Sequence, residues 1–166
     1  MQRTLDNLHA KILSAEALKN GLARWRLLSK KLVFTNGCFD ILHMGHIDYL
    51  AKASEEGDIL IVGLNSDVSA RGLKGSSRPI NGQEARAMIL ASIQFISAVV
   101  IFDEPTPHRL ISVVQPDVLV KGSDYEVEKI VGYDIVKAKG GIIKTIDFLE
   151  GFSTSGIEQK ILDLNK

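Results

Sequence analysis

Hydrophobic positions follow two patterns along the chain: short apolar runs, and longer stretches in which apolar residues recur with helical spacing. The apolar runs predict five buried strands, at residues 31–36, 58–64, 98–102, 117–121 and 142–146. Helical spacing predicts helices between and after them, at about residues 44–56, 81–93, 106–114, 130–139 and 155–164. Strands that alternate with helices in this way predict an α/β fold, a doubly wound parallel five-stranded sheet with helices on both faces.

The opening segment has a helical pattern of its own. Apolar residues between Leu5 and Leu28 predict one or two amphipathic helices, with Ser14 as an N-cap. We therefore divide the chain into a helical extension, residues 1–30, and the main α/β unit, residues 31–166, within a single domain. Because the opening helices exceed what the sheet needs, they also suggest a homodimer interface.

Two further local predictions concern the middle of the chain. Residues 66–79 are rich in Ser, Gly, Lys and Arg, which predicts an exposed loop over a site. Asn81, with Glu84 three residues later, resembles a capping box that would begin the next helix. On that helix the apolar positions expected to face inward are Ala85, Met88, Ile89 and Ile93.

Composition limits the possible partners. With 166 residues and 45% hydrophobic content, the chain can bury one core. Lys and Arg total 20, as do Asp and Glu, so no net field attracts nucleic acid or an anionic membrane, and we predict neither as a partner. No apolar run approaches the roughly 20 residues of a membrane helix. A single cysteine, Cys38, excludes an internal disulfide and fits a reducing, cytoplasmic location.

Candidate chemistry follows the predicted strands. The segment TNGCFDILHMGH ends the first strand, NSD and RGLKGSSRP follow the second, KGSDY the fourth and FLEGFSTSG the fifth. Ligands of doubly wound sheets bind outside the carboxyl ends of the strands, so these segments should meet at one site. Because anions are not attracted globally, this site must hold them locally.

The segment His43-Met44-Gly45-His46 begins the helix after the first strand. A glycine there permits close backbone approach, and the unpaired N–H groups of a helix N-terminus suit phosphate. Both histidines can donate hydrogen bonds to phosphate oxygens. For an isolated four-residue pattern, the favoured alternative is that one histidine caps the helix and the other packs in the core.

The longer run VFTNGCFDILHMGHIDYL resembles the signature of the cytidylyltransferase-like branch of the HxGH nucleotidyltransferase superfamily. Within that branch LNSD, LKGSSRP, the helix containing Arg86, VLVKGSDY and FSTSGI are most similar to adenylyltransferases that act on D-glycero-β-D-manno-heptose 1-phosphate. The resemblance covers residues 31–163. It implies a Rossmann-like fold, AMP transfer from ATP to the sugar phosphate to give ADP-heptose and pyrophosphate, Mg²⁺ with ATP, and a homodimer.

The resemblance also implies roles for individual residues. His43, His46 and Lys74 are expected to be catalytic, with His46 stabilising the transition state. The expected nucleotide-binding residues are Thr35, Asn36, Gly37, His43, Gly45, His46, Lys121, Gly122, Asp124, Phe152, Ser153, Thr154 and Ser155. The expected acceptor-binding residues are Asp40, Asn65, Asp67, Lys74, Arg78 and Arg86.

Ordinary structural roles remain open for several of these residues. Lys74 could be a solvated loop lysine, Asp40 could close a turn, and Arg86 could form a surface ion pair. Asn65 and Asp67 could cap the next turn, and Ser153 or Ser155 could be an N-cap. The spacing of the histidines does not fit a zinc site, and no protein metal ligands are predicted. Magnesium is expected only with the triphosphate.

Two other functions remain open. Related cytidylyltransferases for glycerol 3-phosphate or a phosphoalcohol carry an RTEGIST-like segment, whereas residues 149–155 here read LEGFSTS. The missing Arg-Thr makes a CTP-dependent enzyme the less favoured alternative, but it does not eliminate that alternative. The third possibility is a nucleotide-binding domain without turnover. No kinase-length segment is present, so the expected form is a standalone adenylyltransferase.

Overall fold

The computed structural model describes residues 3–164. Its strands are β1 (Leu32–Gly37), β2 (Ile59–Asn65), β3 (Ala98–Phe102), β4 (Val118–Gly122) and β5 (Ile142–Ile146). Its α-helices are α1 (Arg3–His9), α2 (Ala15–Leu27), α3 (Met44–Ser54), α4 (Asp67–Lys74), α5 (Gln83–Ser92), α6 (His108–Val114), α7 (Tyr133–Ala138) and α8 (Thr154–Leu164). A short 3₁₀ helix spans Val127–Lys129.

The strands form one parallel sheet in the order β3-β2-β1-β4-β5. Phe34 of β1 pairs with Ile61 of β2 on one side and with Leu119 of β4 on the other. The chain runs outward from β1 to β3 and then returns to β4 beside β1. This reversal of strand order places the ligand-binding crevice at the carboxyl ends of β1 and β4. The predicted fold class is confirmed.

Both faces of the sheet are buried at β1 to β4, but the prediction of a buried fifth strand is wrong: β5 lies at the edge of the sheet and exposes Ile142 and Lys144. One core cluster includes Leu50 of α3 and Leu90 of α5, and the other includes Leu22 and Trp25 of α2 and Ile111 of α6. Strands covered on both faces read as continuous apolar runs, which is why their positions were predictable. No helix within residues 3–164 is long and apolar enough to cross a membrane.

Helix α2 belongs to the same core, in which its Leu18, Leu22 and Trp25 are buried, whereas α1 has no buried residue. Helix α2 begins at the predicted cap, because the Ser14 Oγ accepts a hydrogen bond from the Ala17 N–H at 3.2 Å. Between α1 and α2, Ile12 forms a parallel bridge to Val99 at the edge of β3. The apolar side of α2 is thus buried within its own chain. It no longer argues for a dimer interface, and the homodimer stays a prediction.

The predicted loop over residues 66–79 is wrong in its first half, which forms helix α4. Ser66 caps this helix, because its Oγ accepts a hydrogen bond from the Ser69 N–H at 3.2 Å. Ser69 and Ala70 are the buried residues of this helix. Because these side chains are small and one is polar, they do not give the helical spacing of large apolar residues from which the other helices were predicted.

Two predictions about α5 are also wrong. Gly82 occupies the N-cap position, whereas the Asn81 side chain donates a hydrogen bond to the Asp40 carbonyl at 2.8 Å. Ala85 and Ile89 are exposed, and the buried residues of α5 are Arg86, Ala87, Leu90 and Ala91. The inward face contains an arginine because protein acceptors satisfy its guanidinium.

Candidate active site

A cleft of about 310 Å³ opens at the carboxyl end of the sheet, next to the N-terminus of α3. Its lining consists of Cys38, Phe39, Asp40, His46, Ala70, Lys74, Arg78, Pro79, Thr154 and Ser155. A larger groove of about 910 Å³ runs along β3 and α6, but it contains none of the predicted site residues. The smaller cleft is the candidate site because the polar side chains meet there.

The two histidines of the HxGH segment face each other. Their rings stack with centroids 3.9 Å apart and planes inclined by 25°. Phe39 meets the His46 ring edge-on at 5.4 Å and has a left-handed backbone, with φ of 45°. His43 occupies the N-cap position of α3 without donating or accepting a side-chain capping bond. The His43 side chain therefore does not cap the helix, and both rings are only partly buried, so the alternative of one capping and one core histidine is not fulfilled.

Three buried polar atoms at this site have no hydrogen-bond partner: Asn36 Oδ1, His43 Nδ1 and His46 Nδ1. In the range 3–164 no other buried side-chain nitrogen or oxygen atom of this kind is found. A buried polar atom without a partner costs about 1–3 kcal/mol, so folded proteins rarely contain one without a reason. Three of them beside a helix N-terminus indicate a site built for a polar ligand.

Burial keeps both imidazoles neutral. Desolvation, with a smaller contribution from the neighbouring His43, lowers the pKa of His46 to about 4, although a hydrogen bond to the Ile41 backbone opposes the shift. Desolvation also lowers the pKa of His43. At neutral pH each ring therefore carries one N–H donor and one acceptor nitrogen. An anion bound against either ring would raise its pKa.

Two glycines allow the surrounding segments to approach each other. A Cβ atom on Gly45 would lie 3.1 Å from His43 Nδ1 and 3.2 Å from Phe152 Cβ. A Cβ atom on Gly122 would lie only 2.2 Å from Phe148 Cζ and 2.6 Å from Asp124 Oδ1. A side chain at Gly122 would therefore displace both of the segments that follow β4 and β5. Gly45 thus lets Phe152 approach His43, and Gly122 lets Phe148 approach Asp124.

Positive charge surrounds the cleft. Burial raises the pKa of the Cys38 thiol, and the nearby cations Lys74, Arg86 and Lys121 oppose that rise. Burial lowers the pKa of Lys121 to about 8, and Asp124 opposes this shift. The Lys121 ammonium also lies 5.5 Å from the centre of the Tyr125 ring. Lys74 and Lys121 can therefore attract anions locally, whereas the charge of Arg86 is paired with Asp67.

Arg86 is 1% exposed and donates to four protein acceptors. Its Nη1 donates to the carbonyls of Cys38 at 2.6 Å and Asn65 at 2.8 Å. Its Nε donates to the Asn81 carbonyl at 2.8 Å, and its Nη2 pairs with Asp67 at 2.7 Å. Arg86 thus joins the loop after β1, the end of β2 and the starts of α4 and α5. We predicted a phosphate contact or a surface ion pair, and the structure shows a buried clamp.

Asp40 also holds protein groups. It accepts hydrogen bonds from the backbone N–H groups of Ile80 and Asn81 at 2.8–2.9 Å and from Arg78 Nη1 at 2.9 Å. Burial would raise the pKa of Asp40, but these hydrogen bonds outweigh it, and the pKa lies below its ordinary value. Asp40 therefore fixes the loop that carries Arg78 against the cleft.

Three more predicted residues have partners inside the protein. The Thr35 hydroxyl shares a buried hydrogen bond of 2.8 Å with the Tyr49 hydroxyl. The Asn65 Nδ2 donates to the Ser69 Oγ at 2.9 Å. Ser153 caps α8, since its Oγ accepts a hydrogen bond from the Gly156 N–H at 3.0 Å. Thr154 and Ser155 instead line the cleft.

Sequence reasoning missed several residues of the site. Phe39 lies inside the HxGH-containing signature, but only the structure shows its ring against His46. Phe148 follows β5 and contacts Tyr49 with ring centres 5.9 Å apart. Glu158 of α8 forms an ion pair with Arg78. No motif in the sequence distinguishes Glu158 from the other charged residues of the last helix.

The sequence matches the family described as cytidylyltransferase-like over residues 34–159, which include all of these segments. The chain belongs to the cytidylyltransferase-like family. The resemblance seen in the sequence is thereby confirmed, and so is the prediction that the chain is a nucleotidyltransferase. The matched residues extend from β1 into α8, so the whole candidate site lies within the family region.

Curated relatives point to a narrower group within the cytidylyltransferase-like family. The chain is 54% identical to the bifunctional protein HldE of Wolinella succinogenes over 151 residues, 91% of this chain and 31% of that protein. It is 58% identical to the bifunctional protein HldE of Campylobacter jejuni over 135 residues, 81% of this chain and 28% of that protein. The chain thus spans about a third of the length of these relatives.

Solved structures share the fold. The lipopolysaccharide core biosynthesis protein from Thermoplasma volcanium matches with a TM-score of 0.59 and 25% identity, over 72% of this chain and 97% of that one. Pantoate-beta-alanine ligase from Francisella tularensis matches with a TM-score of 0.56 and 17% identity, over 90% of this chain and 77% of that one. The second match supports the fold alone.

We expect Arg86→Leu to lower the free energy of unfolding by about 3–5 kcal/mol, because it leaves Asp67 and three carbonyls without their buried donor. Urea unfolding measures this loss. The matched control is Arg109→Leu, whose side chain is 82% exposed in its ion pair with Glu104 and should cost less than about 1 kcal/mol. Similar losses for the two variants would contradict the assignment of Arg86 as a clamp.

We expect the His46 ring to remain neutral down to about pH 5 and to titrate near pH 4 in the free protein. Saturation with ATP should move the midpoint upward, because phosphate oxygens stabilise the protonated ring. NMR titration of the histidine ring signals, assigned with His46→Gln, measures both values. A midpoint near 6.5 without ATP, or no shift when ATP binds, would refute this account of the ring.

Proposed function

We propose that the chain transfers AMP from ATP to D-glycero-β-D-manno-heptose 1-phosphate, giving ADP-heptose and pyrophosphate. The observation that carries this proposal is the stacked pair His43 and His46, whose unpaired Nδ1 atoms lie at the N-terminus of α3 beside a cleft surrounded by cations. Such a site suits a triphosphate, whose negative charge must be stabilised as the reaction proceeds.

The proposed reaction is a direct displacement. An oxygen of the sugar phosphate forms a bond to the α-phosphorus of ATP, and the bond from that phosphorus to the β-phosphate oxygen breaks, so that pyrophosphate leaves with the electron pair. The protein has only to position the two phosphates and stabilise the charge that develops on them. We assign stabilisation of the transferred group to His46, and contacts with the leaving pyrophosphate to His43, Thr154 and Ser155.

The acceptor end of the cleft is assigned to Lys74 and Arg78. Both side chains line it, and Arg78 is held in place by Asp40. A long lysine and a fixed guanidinium are suited to bind the phosphate of the sugar. Asn65, Asp67 and Arg86, which we predicted to contact the acceptor, would support this region through the loops that they hold.

The choice of acceptor rests on the relatives. The match to proteins named HldE and the match to a lipopolysaccharide core biosynthesis protein support a heptose phosphate over a phosphoalcohol. The same choice implies a role in building a surface glycoconjugate. We place the reaction in the cytoplasm, which agrees with the single free cysteine.

Magnesium is proposed as part of the substrate. Over residues 3–164 no three His, Cys, Asp or Glu side chains are grouped as a metal site. Asp40 is the one carboxylate among the described residues of the cleft lining, and its oxygens already accept hydrogen bonds from Arg78 and from the backbone N–H groups of Ile80 and Asn81. The cations and hydroxyl groups of the lining suit phosphate oxygens rather than Mg²⁺. Magnesium would therefore enter on the triphosphate, where it neutralises oxygens that the side chains do not reach.

A CTP-dependent cytidylyltransferase that acts on glycerol 3-phosphate or a phosphoalcohol is the second candidate. The description of the matched family favours it. The segment of residues 149–155 is evidence against this second candidate, because the segment lacks the Arg-Thr of the RTEGIST-like sequence. The two candidates differ in nucleotide and acceptor, so one assay separates them.

The test measures pyrophosphate release with Mg²⁺ while ATP and CTP are each combined with heptose 1-phosphate, glycerol 3-phosphate and ethanolamine phosphate. We expect turnover only with ATP and heptose 1-phosphate. Preference for CTP with a phosphoalcohol would replace the proposal with the second candidate. Absence of turnover in every pairing, with ATP still bound, would contradict both.

We expect His46→Ala to lower kcat by about 10²- to 10³-fold, the effect of removing one donor to a developing negative charge. Steady-state kinetics measures the loss, and the urea unfolding curve confirms that the variant is folded. The control is His108→Ala, whose side chain is 56% exposed and lies on α6 outside the cleft. Near-normal turnover of a folded His46→Ala would remove His46 from the catalytic residues.

A further inference from the structure

Helix α8 lies over the candidate site without being anchored in the core. None of its described residues is buried, although its first residues, Thr154 and Ser155, line the cleft. Only Thr154, Ile157 and Glu158 are half-buried among the residues from 154 to 164. Helices are normally held by an apolar face, so α8 needs another contact to place its N-terminus accurately.

That contact is a short chain of charges. The Arg78 Nη2 forms an ion pair with Glu158 Oε1, while its Nη1 donates to Asp40 Oδ2 at 2.9 Å. The side chains of Asp40, Arg78 and Glu158 are 9%, 17% and 30% exposed. Because water is largely excluded from Asp40 and Arg78 and partly from Glu158, this connection is stronger than a fully exposed ion pair.

The connection fixes the end of α8 that matters for binding. Glu158 lies four residues after Thr154 and three after Ser155, so all three occupy neighbouring positions on one side of the helix. Asp40 is itself fixed by the backbone N–H groups of Ile80 and Asn81. Through Arg78 and Asp40, Glu158 therefore holds the hydroxyls of Thr154 and Ser155 at a fixed position relative to the loop after β1.

We infer that Glu158 is a positioning residue for triphosphate binding: through Arg78 and Asp40, it holds the N-terminus of α8 against the cleft. This inference rests on the proposed function, in which Thr154 and Ser155 contact the leaving pyrophosphate. Glu158 acts on the substrate only through these neighbours. Its loss should weaken ATP binding more than it slows the chemical step.

The test compares Glu158→Ala, Glu158→Gln and the control Asp163→Asn. The control removes the same charge from the same helix at a residue that does not line the cleft and that accepts a hydrogen bond from Gln159. We expect Glu158→Ala to raise the KM for ATP and the Kd for ATP about tenfold, the effect of losing a hydrogen bond to a charged group. The kcat should stay within about twofold. Glu158→Gln should lie between wild type and Glu158→Ala, and Asp163→Asn should match wild type.

A double-mutant cycle separates a positioning role from a general loss of structure. In an Arg78→Gln background, Glu158→Ala should cause no further rise in the Kd for ATP, because the pair is already broken. Additive losses, an unchanged Kd in Glu158→Ala, or a loss of kcat alone would each overturn the inference. Calorimetric titration of ATP without acceptor measures the Kd, so wild type that binds no ATP would refute the proposed function instead.

Discussion

The site depends first on the buried guanidinium of Arg86. Its hydrogen bonds end on Cys38, Asn65, Asp67 and Asn81, which belong to segments far apart in sequence. Loops that leave the ends of parallel strands expose backbone carbonyls, and a buried carbonyl needs a donor. Arg86 supplies these donors from within one helix. The loops around the cleft are thereby fixed relative to the sheet before any ligand binds.

Beside these fixed loops the protein leaves buried polar atoms without hydrogen-bond partners. The Nδ1 atoms of His43 and His46 are buried without partners, and burial keeps both rings neutral. This arrangement costs folding free energy, which the continuous apolar strands of the sheet offset. A bound phosphate would supply the missing partners and draw protons onto the rings. The free energy lost on folding by leaving these atoms unpaired is thus regained when phosphate binds, and the site needs no rearrangement to bind it.

The sequence predicts the sheet more fully than it predicts the site. Strands Ala98–Phe102 and Ile142–Ile146 agree to the residue. Ala98–Phe102 is apolar throughout because it is buried on both faces, whereas the edge strand Ile142–Ile146 is largely exposed and was found from its short β-branched run. Helix α4 was missed because it buries only small side chains. The role of Arg86 was missed because its partners are backbone carbonyls, which have no signature in the sequence. Glu158 was missed for a different reason: its partner Arg78 is distant in sequence, and only the fold brings the two side chains together.

The most direct test of the central claim is a crystal structure with Mg²⁺ and a non-hydrolysable ATP analogue. The account predicts phosphate oxygens within hydrogen-bond distance of His43 Nδ1 and His46 Nδ1 at the N-terminus of α3, with Arg86 unmoved. A nucleotide bound along the larger groove by β3 and α6, with both Nδ1 atoms still without partners, would contradict it.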